Sequence, residues 1–258
     1  MNTPRDPLPT LPTELVTTES GLFAVLRGDT RLQRIKQGQG LTPALAYLIH
    51  EAVTEGAHVI DVGANLGLTT VPLARAVGHT GVVVAIEPLR VIFQQLCGNC
   101  FLNGLANVLT LNAAVGDVAA IAEFEPVNYF ATSRDFGDSR LGKGGERVQS
   151  ITLDSLGLPN TAFIAISARS SAYAVIQGAK QTIFAGRPLL FVEIDDLALQ
   201  TQGASSVALI ESIKSLGYVL LHIKDDSEAV YYACLPIERK GEIARFGEIL
   251  QSRFDVLE

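Results

Sequence analysis

The chain has 258 residues, enough for one large α/β domain or two small ones. Hydrophobic residues make up 48% and charged residues 18%, which supplies a substantial core and excludes a disordered chain. With a net charge of −7 and 20 scattered Lys and Arg, it lacks the clustered cations that displace phosphate counterions, so nucleic acid is excluded as the expected partner.

The opening stretch MNTPRDPLPTLPTEL breaks any apolar leader with prolines and an early acid. No window offers the roughly 18 consecutive apolar residues of a bilayer span, so no membrane partner is expected. Three cysteines, Cys97, Cys100 and Cys234, make no disulfide framework and point to a reducing cytoplasm. Residues 1–20 read as an extended arm, loosely ordered or draped over the rest. The division expected is an N-terminal arm over 1–40 and one domain over 41–258.

Thr42 and Pro43 read as an N-cap and first helical turn, opening a helix to about Val53 that Gly56 ends. An alternation follows: strand His58–Val62, helix Leu66–Val77, strand Val82–Glu87, helix Leu89–Leu102, strand Val108–Ala114. Short strand-helix-strand repeats argue for parallel strands with crossover helices. Residues 117–150, rich in Gly, Ser and charge, read as an inserted loop or small hairpin; Asn128–Gly145, with Tyr129, Phe130, Arg134, Asp135 and Arg140, suits a substrate lid or a plain surface loop. Order returns at Ile151–Leu156. Strand Phe163–Ser167, helix Ala172–Phe184, strand Leu189–Ile194, helix Val207–Leu216 and strands Tyr218–His222 and Ala229–Cys234 complete the chain. The fold class expected is α/β: a Rossmann-like, mostly parallel seven-stranded sheet flanked by helices.

The sharpest local signal is Asp61-Val62-Gly63-Ala64-Asn65-Leu66-Gly67, an apolar strand ending in an acid, then a Gly-x-Asn-x-Gly turn into a helix. Gly63 permits a tight turn and close approach of a ligand, Gly67 permits close packing at the helix start, and free N–H groups there suit a carboxylate. Asp61, at the carboxyl end of its strand, is placed to hold an ammonium directly or through water. Glu87, closing the next strand before Pro88, suits the two hydroxyls of a ribose. A nicotinamide loop would read G-x-G-x-x-G, and Asn65 and Leu68 stand where its second and third glycines belong. S-adenosylmethionine is therefore the cofactor expected, with another nucleotide or a purely structural turn as the alternatives.

VIDVGANLGLTT, VVVAIEP, FQQLCGNCFLNGLANV, AAVGD, TLDSL, AVIQGAKQTI and RPLLFVEID occur in an order and spacing that resembles the FkbM family of methyltransferases, over about Leu41 to Tyr218. The resemblance implies a class I methyltransferase fold, S-adenosylmethionine, and methylation of a hydroxyl on a small molecule or sugar. Matching positions imply cofactor contacts at Asp61, Gly63, Asn65, Gly67 and Glu87, and Ala64, Pro88 and Ala114 are further residues expected at the cofactor. The family's K-I-D-V-E-G-x-E is replaced here by Ala165-Ile166-Ser167-Ala168-Arg169-Ser170-Ser171-Ala172. Ser is no base near neutral pH and Arg stays protonated, so the acceptor side is altered. Ser167, Arg169 and Asp195 are the candidates left there, Asp195 forming an acid cluster with Asp196 and Glu193. The alternative is a methyltransferase-like protein that binds S-adenosylmethionine or S-adenosylhomocysteine without turnover. Cys97-x-x-Cys100 lies on a helix without a second pair, His50, His58, His79 and His222 show no ligand spacing, and no metal is expected. A homodimer is left open.

Overall fold

The computed structural model describes residues 10–138, 140–223, 230–239, 241, 242 and 246, with the backbone of 254–257. A hairpin comes first: β1 (Thr13–Thr18) pairs antiparallel with β2 (Gly21–Leu26), followed by the short helix α1 (Leu32–Lys36). Residues 10–20, expected as an arm, are thus largely ordered in that hairpin. Phe23 and Val25 alternate inward and pack with Leu66 and Val71 beside the glycine turn. Helix α2 (Pro43–Ala52) begins as expected, with the Thr42 hydroxyl accepting the Leu45 N–H at 3.2 Å.

Next come β3 (His58–Val62), α3 (Thr70–Val77), β4 (Val82–Ile86), α4 (Arg90–Leu102) and β5 (Val108–Leu111). Strands β6 (Ala114–Val115), β7 (Ala120–Glu123) and β8 (Arg147–Ile151) form a separate three-stranded sheet in the insertion. Then follow β9 (Thr161–Ile166), α5 (Ala172–Gln177), α6 (Lys180–Gly186), β10 (Leu189–Ile194), α7 (Asp196–Gln200), α8 (Ser206–Ser215), β11 (Tyr218–Ile223), β12 (Val230–Pro236) and β13 (Phe254–Leu257). Ala229, the start of the last strand expected, lies outside the described residues.

The main sheet runs β13-β11-β12-β10-β9-β3-β4-β5. The five strands from β10 to β5 are mutually parallel, and β12 and β13 pair antiparallel with their neighbours. All seven expected strands are present; β13 is an eighth, four residues long and too short to announce itself by alternation. The helix expected over 172–184 is two helices. A Cβ at Gly178 would collide with the Gly116 carbonyl, so the chain bends there, and Asp154 accepts the Gln181 and Thr182 N–H groups that open α6.

Period-two alternation divides the core between the two sheet faces. Ile60, Val62, Ile86, Ile166 and Val192 face α5, α6 and α8. Val59, Ala85, Phe163, Ala165 and Phe191 face α2 and α3. The second face is the one that carries chemistry.

Candidate functional site

Asp61 pairs in register with Ala85 of β4 and Ala165 of β9, and Ala165 with Phe191 of β10. These four positions form one level across the sheet. Two residues further along each chain, on the same face, come Glu87, Gly63 and Ser167, each just past its strand, and Glu193, inside the end of β10; all four line one pocket. Glu87 and Glu193 are three strand spacings apart, about 14 Å. The order reverses at β3, with β4 on one side and β9 on the other, which is where open α/β sheets bind ligands.

Gly63 has φ +76°, and a Cβ there would lie 2.8 Å from the Ser167 carbonyl oxygen. No other residue fits without moving the end of β9. The Gly63 and Ala64 N–H groups both donate to the Ile86 carbonyl at 3.0 Å, locking the turn to β4. Asn65 adopts a left-handed φ of +50°, which Asn tolerates better than most residues. Its side-chain oxygen accepts the Leu66 N–H at 2.7 Å, and its own N–H donates to Glu87 Oε2 at 2.9 Å.

Glu87 Oε1 accepts the Leu89 N–H, also at 2.9 Å. Burial pushes the Glu87 carboxyl up to about 7, against the pull of those two N–H groups and of nearby Arg31. Gly63, Ala64, Asn65, Glu87, Pro88 and Ala114 line the pocket. Gly67, at φ +98°, packs under it against Leu96. Asp61 sits one level below the pocket floor, 1% exposed, accepting the Thr70 hydroxyl at 2.6 Å. Burial lifts it to about 6. It braces the start of α3 behind the pocket wall.

At the acceptor side, Ser167 contributes to the pocket floor. Arg169 Nε donates to Glu193 Oε1 at 2.7 Å, and both line the pocket. Glu193 is 6% exposed, and Arg169 is its one hydrogen-bonded partner among the described residues. Asp195 serves the backbone instead. Its side chain accepts the Ala198 N–H at 3.0 Å and caps α7, a helix absent from the elements expected from sequence. Asp196 likewise accepts the Ser206 N–H at 2.7 Å. The expected acid cluster is therefore one helix cap, Asp195, one acceptor for the first N–H of α8, Asp196, and one pocket residue, Glu193.

Of the insertion, Asp135 and Arg140 line the pocket, Tyr129 hydrogen-bonds Glu146, and Phe130 is half exposed. His222 tilts against the Tyr232 ring at 5.2 Å and is not a pocket residue. Cys97 and Cys100 are free thiols. Sequence reading missed Arg31, which enters the pocket wall from ahead of α1 and donates to the Asn65 side chain at 2.9 Å. No local pattern marks it, since only the fold brings it to a turn 34 residues away.

A glycine turn and a strand-end carboxylate stand at the switch point of a mostly parallel sheet, the edge at which open α/β proteins take their ligands. Residues 61–220 match the model of the methyltransferase FkbM domain, and the chain belongs to that family, with its Rossmann-like class I fold. No curated protein matches it. Among solved structures it is similar to the methyltransferase FkbM from Methylobacillus flagellatus KT (17% identity, TM-score 0.47, covering 69% of this chain and 44% of that one). It is also similar to a putative rRNA methylase from Clostridium thermocellum (13%, 0.49, 75% and 93%) and to TYW2 of M. jannaschii in complex with AdoMet (15%, 0.47, 88% and 88%). This chain thus spans under half the length of the Methylobacillus protein. No helix among the described residues is long and apolar enough to cross a membrane.

Proposed function

We propose that residues 41–258 act as one S-adenosylmethionine-dependent methyltransferase domain, walled by residues 10–40, that methylates a hydroxyl on a small molecule in the cytoplasm. The observation that carries this reading is Glu87. Each of its oxygens accepts one backbone N–H and keeps a lone pair, which suits the two donors of a ribose diol. The residues present fit the rest of the cofactor. The Gly63–Ala64 backbone lines the pocket without a large side chain, and Ala113, Ala114 and Pro88 offer an apolar wall for a base.

The bound cofactor supplies an electrophilic methyl on a sulfonium. Methyl transfer then depends chiefly on positioning and desolvating the acceptor. Glu193 is the base best placed for it. Arg169 holds Oε1 and leaves Oε2 to take the proton of an acceptor hydroxyl, whose oxygen would receive the methyl that the cofactor, when bound, would supply.

A second reading, binding without turnover, is favoured by the Ala165–Ala172 stretch, where Arg169 is tied to the same carboxylate. Calorimetric titration with S-adenosylhomocysteine tests the cofactor: micromolar or tighter binding is expected, and no heat at millimolar ligand overturns both readings. Label transfer from methyl-labelled cofactor to a panel of hydroxylated acceptors separates them.

A further inference from the structure

Residues 28–31 lie outside the family match, yet they are fastened to both the glycine turn and the insertion. Arg31 makes a fork on Asp29, Nε to Oδ1 at 3.0 Å and Nη2 to Oδ2 at 2.6 Å, and Asp29 itself is 4% exposed. The same Nη2 donates to Asn65 Oδ1 at 2.9 Å, and Nε lies 3.5 Å from Asp135. Asp135 in turn accepts the Gly137 N–H at 2.8 Å. A Cβ on Gly137 would come within 2.8 Å of both Arg31 Nη1 and Asn65 Nδ2, so loop, arginine and turn are in mutual contact. Backbone bonds reinforce the seam: Thr30 N–H donates to the Arg134 carbonyl, and Arg134 N–H donates to the Gly28 carbonyl.

Asn65 is the sensitive member. It holds a left-handed conformation, and its N–H is the one that orients Glu87 Oε2. The Nε and Nη2 edge of the guanidinium is committed to Asp29 and Asn65, with Asp135 beside it, so the work of that edge is to hold neighbours in place.

We propose that Arg31 is a positioning residue of the pocket, fixing the Asn65 side chain and tying the 134–138 loop to the glycine turn. In this way the segment ahead of the family-matched region completes the site. Its ligand arm rests on the cofactor reading above; its structural arm does not. A planar fork can serve Asp29, Asn65 and Asp135 together, and a lysine ammonium can serve one of them well.

The test compares the full chain with Arg31→Gln and Arg31→Lys by amide hydrogen exchange without ligand and by S-adenosylhomocysteine titration. In Arg31→Gln the amides of Asn65 and Gly137 are expected to exchange at least tenfold faster while those of β3 are unchanged. The dissociation constant should rise about tenfold, with Arg31→Lys near threefold. Exchange at both amides and affinity all within twofold of the parent overturn the proposal. If the parent chain binds no S-adenosylhomocysteine, the cofactor reading falls and the exchange result alone decides this one. If Arg31→Gln does not fold, Arg31→Lys, judged by the same measures, decides it.

Discussion

The two ends of the pocket floor are built from different materials. At the β3–β4 end, backbone does the work: a glycine turn, N–H groups on the Ile86 carbonyl, and a carboxylate whose two oxygens are pinned by main chain. At the β9–β10 end, side chains do it. There the family's lysine, aspartate and glutamates give way to Ala165, Ser167, Arg169 and Ala172, leaving a single ion pair. A site made of backbone tolerates little change, because altering it costs the fold. A site made of side chains can be rewritten one residue at a time. The contrast explains how one chain keeps the family's glycine turn and strand-end carboxylate and departs from its motif at the β9–β10 end.

The harshest way to break that comparison is at Gly63. Gly63→Ala combines a left-handed φ with a Cβ 2.8 Å from backbone oxygen, and should cost about 3 kcal/mol and abolish S-adenosylhomocysteine binding. Gly98, in the middle of α4 with nothing near its missing Cβ, is the control. Gly98→Ala should stabilise by roughly 0.5–1 kcal/mol in urea unfolding. Equal effects at the two glycines would remove the case for a rigid turn.

The next largest effect concerns the buried acids. Burial raises the folded pKa of Glu87 to about 7 and of Asp61 to about 6, above the ordinary 4.5 and 3.8 of these side chains. The folded state therefore holds these protons more tightly, so the unliganded protein is more stable at low pH and loses stability as pH rises through 7. From pH 5.5 to 8 the loss should be about 2–3 kcal/mol, since a tenfold difference in proton affinity is worth about 1.4 kcal/mol. Glu87→Gln should remove most of that slope and weaken S-adenosylhomocysteine about tenfold to a hundredfold, since hydrogen bonds to a charged acceptor are lost. The parent's affinity should rise with pH through 7, as a diol favours the ionised carboxylate. A urea midpoint flat across this range contradicts the assignment.

The register adds a reason for Asp61. Its in-register neighbour on β9 is Ala165, where the family resemblance expects a lysine, and Ala165 is fully buried. Without a cation there, Asp61 has the Thr70 hydroxyl alone to offset desolvation. Sequence pattern revealed the gap in the motif but not its partner, because parallel register is set by long-range pairing. The same limit explains the rest of what was and was not legible. The glycine turn, Glu87 and the five parallel strands between His58 and Ile194 announce themselves through short apolar runs and special residues, whereas the three strands of the insertion do not. Arg31 is an ordinary arginine until the hairpin docks, the break at Gly178 depends on a distant carbonyl, and a capping aspartate looks like any other acid in a loop.

At the side-chain end, Glu193→Gln should leave S-adenosylhomocysteine affinity within about twofold while lowering methyl transfer about a hundredfold, the range expected for losing a general base. If transfer survives Glu193→Gln intact, the acceptor's proton goes elsewhere. If no acceptor is methylated by the parent, binding without turnover is the reading that stands.

Asp195 sharpens the comparison most gently. It follows β10 by two residues from Glu193, and its sequence context is as suggestive of chemistry as its neighbour's. Its carboxylate instead accepts the Ala198 N–H and opens α7. Asn caps a helix as well as Asp does and Ala does not. Asp195→Asn should therefore be nearly silent, Asp195→Ala should cost about 1 kcal/mol in thermal or urea unfolding, and neither should shift S-adenosylhomocysteine affinity. Since Asn is no base, a loss of transfer in a fully stable Asp195→Asn would reassign that residue from the helix to the reaction, and the acceptor end would then hold two working acids rather than one.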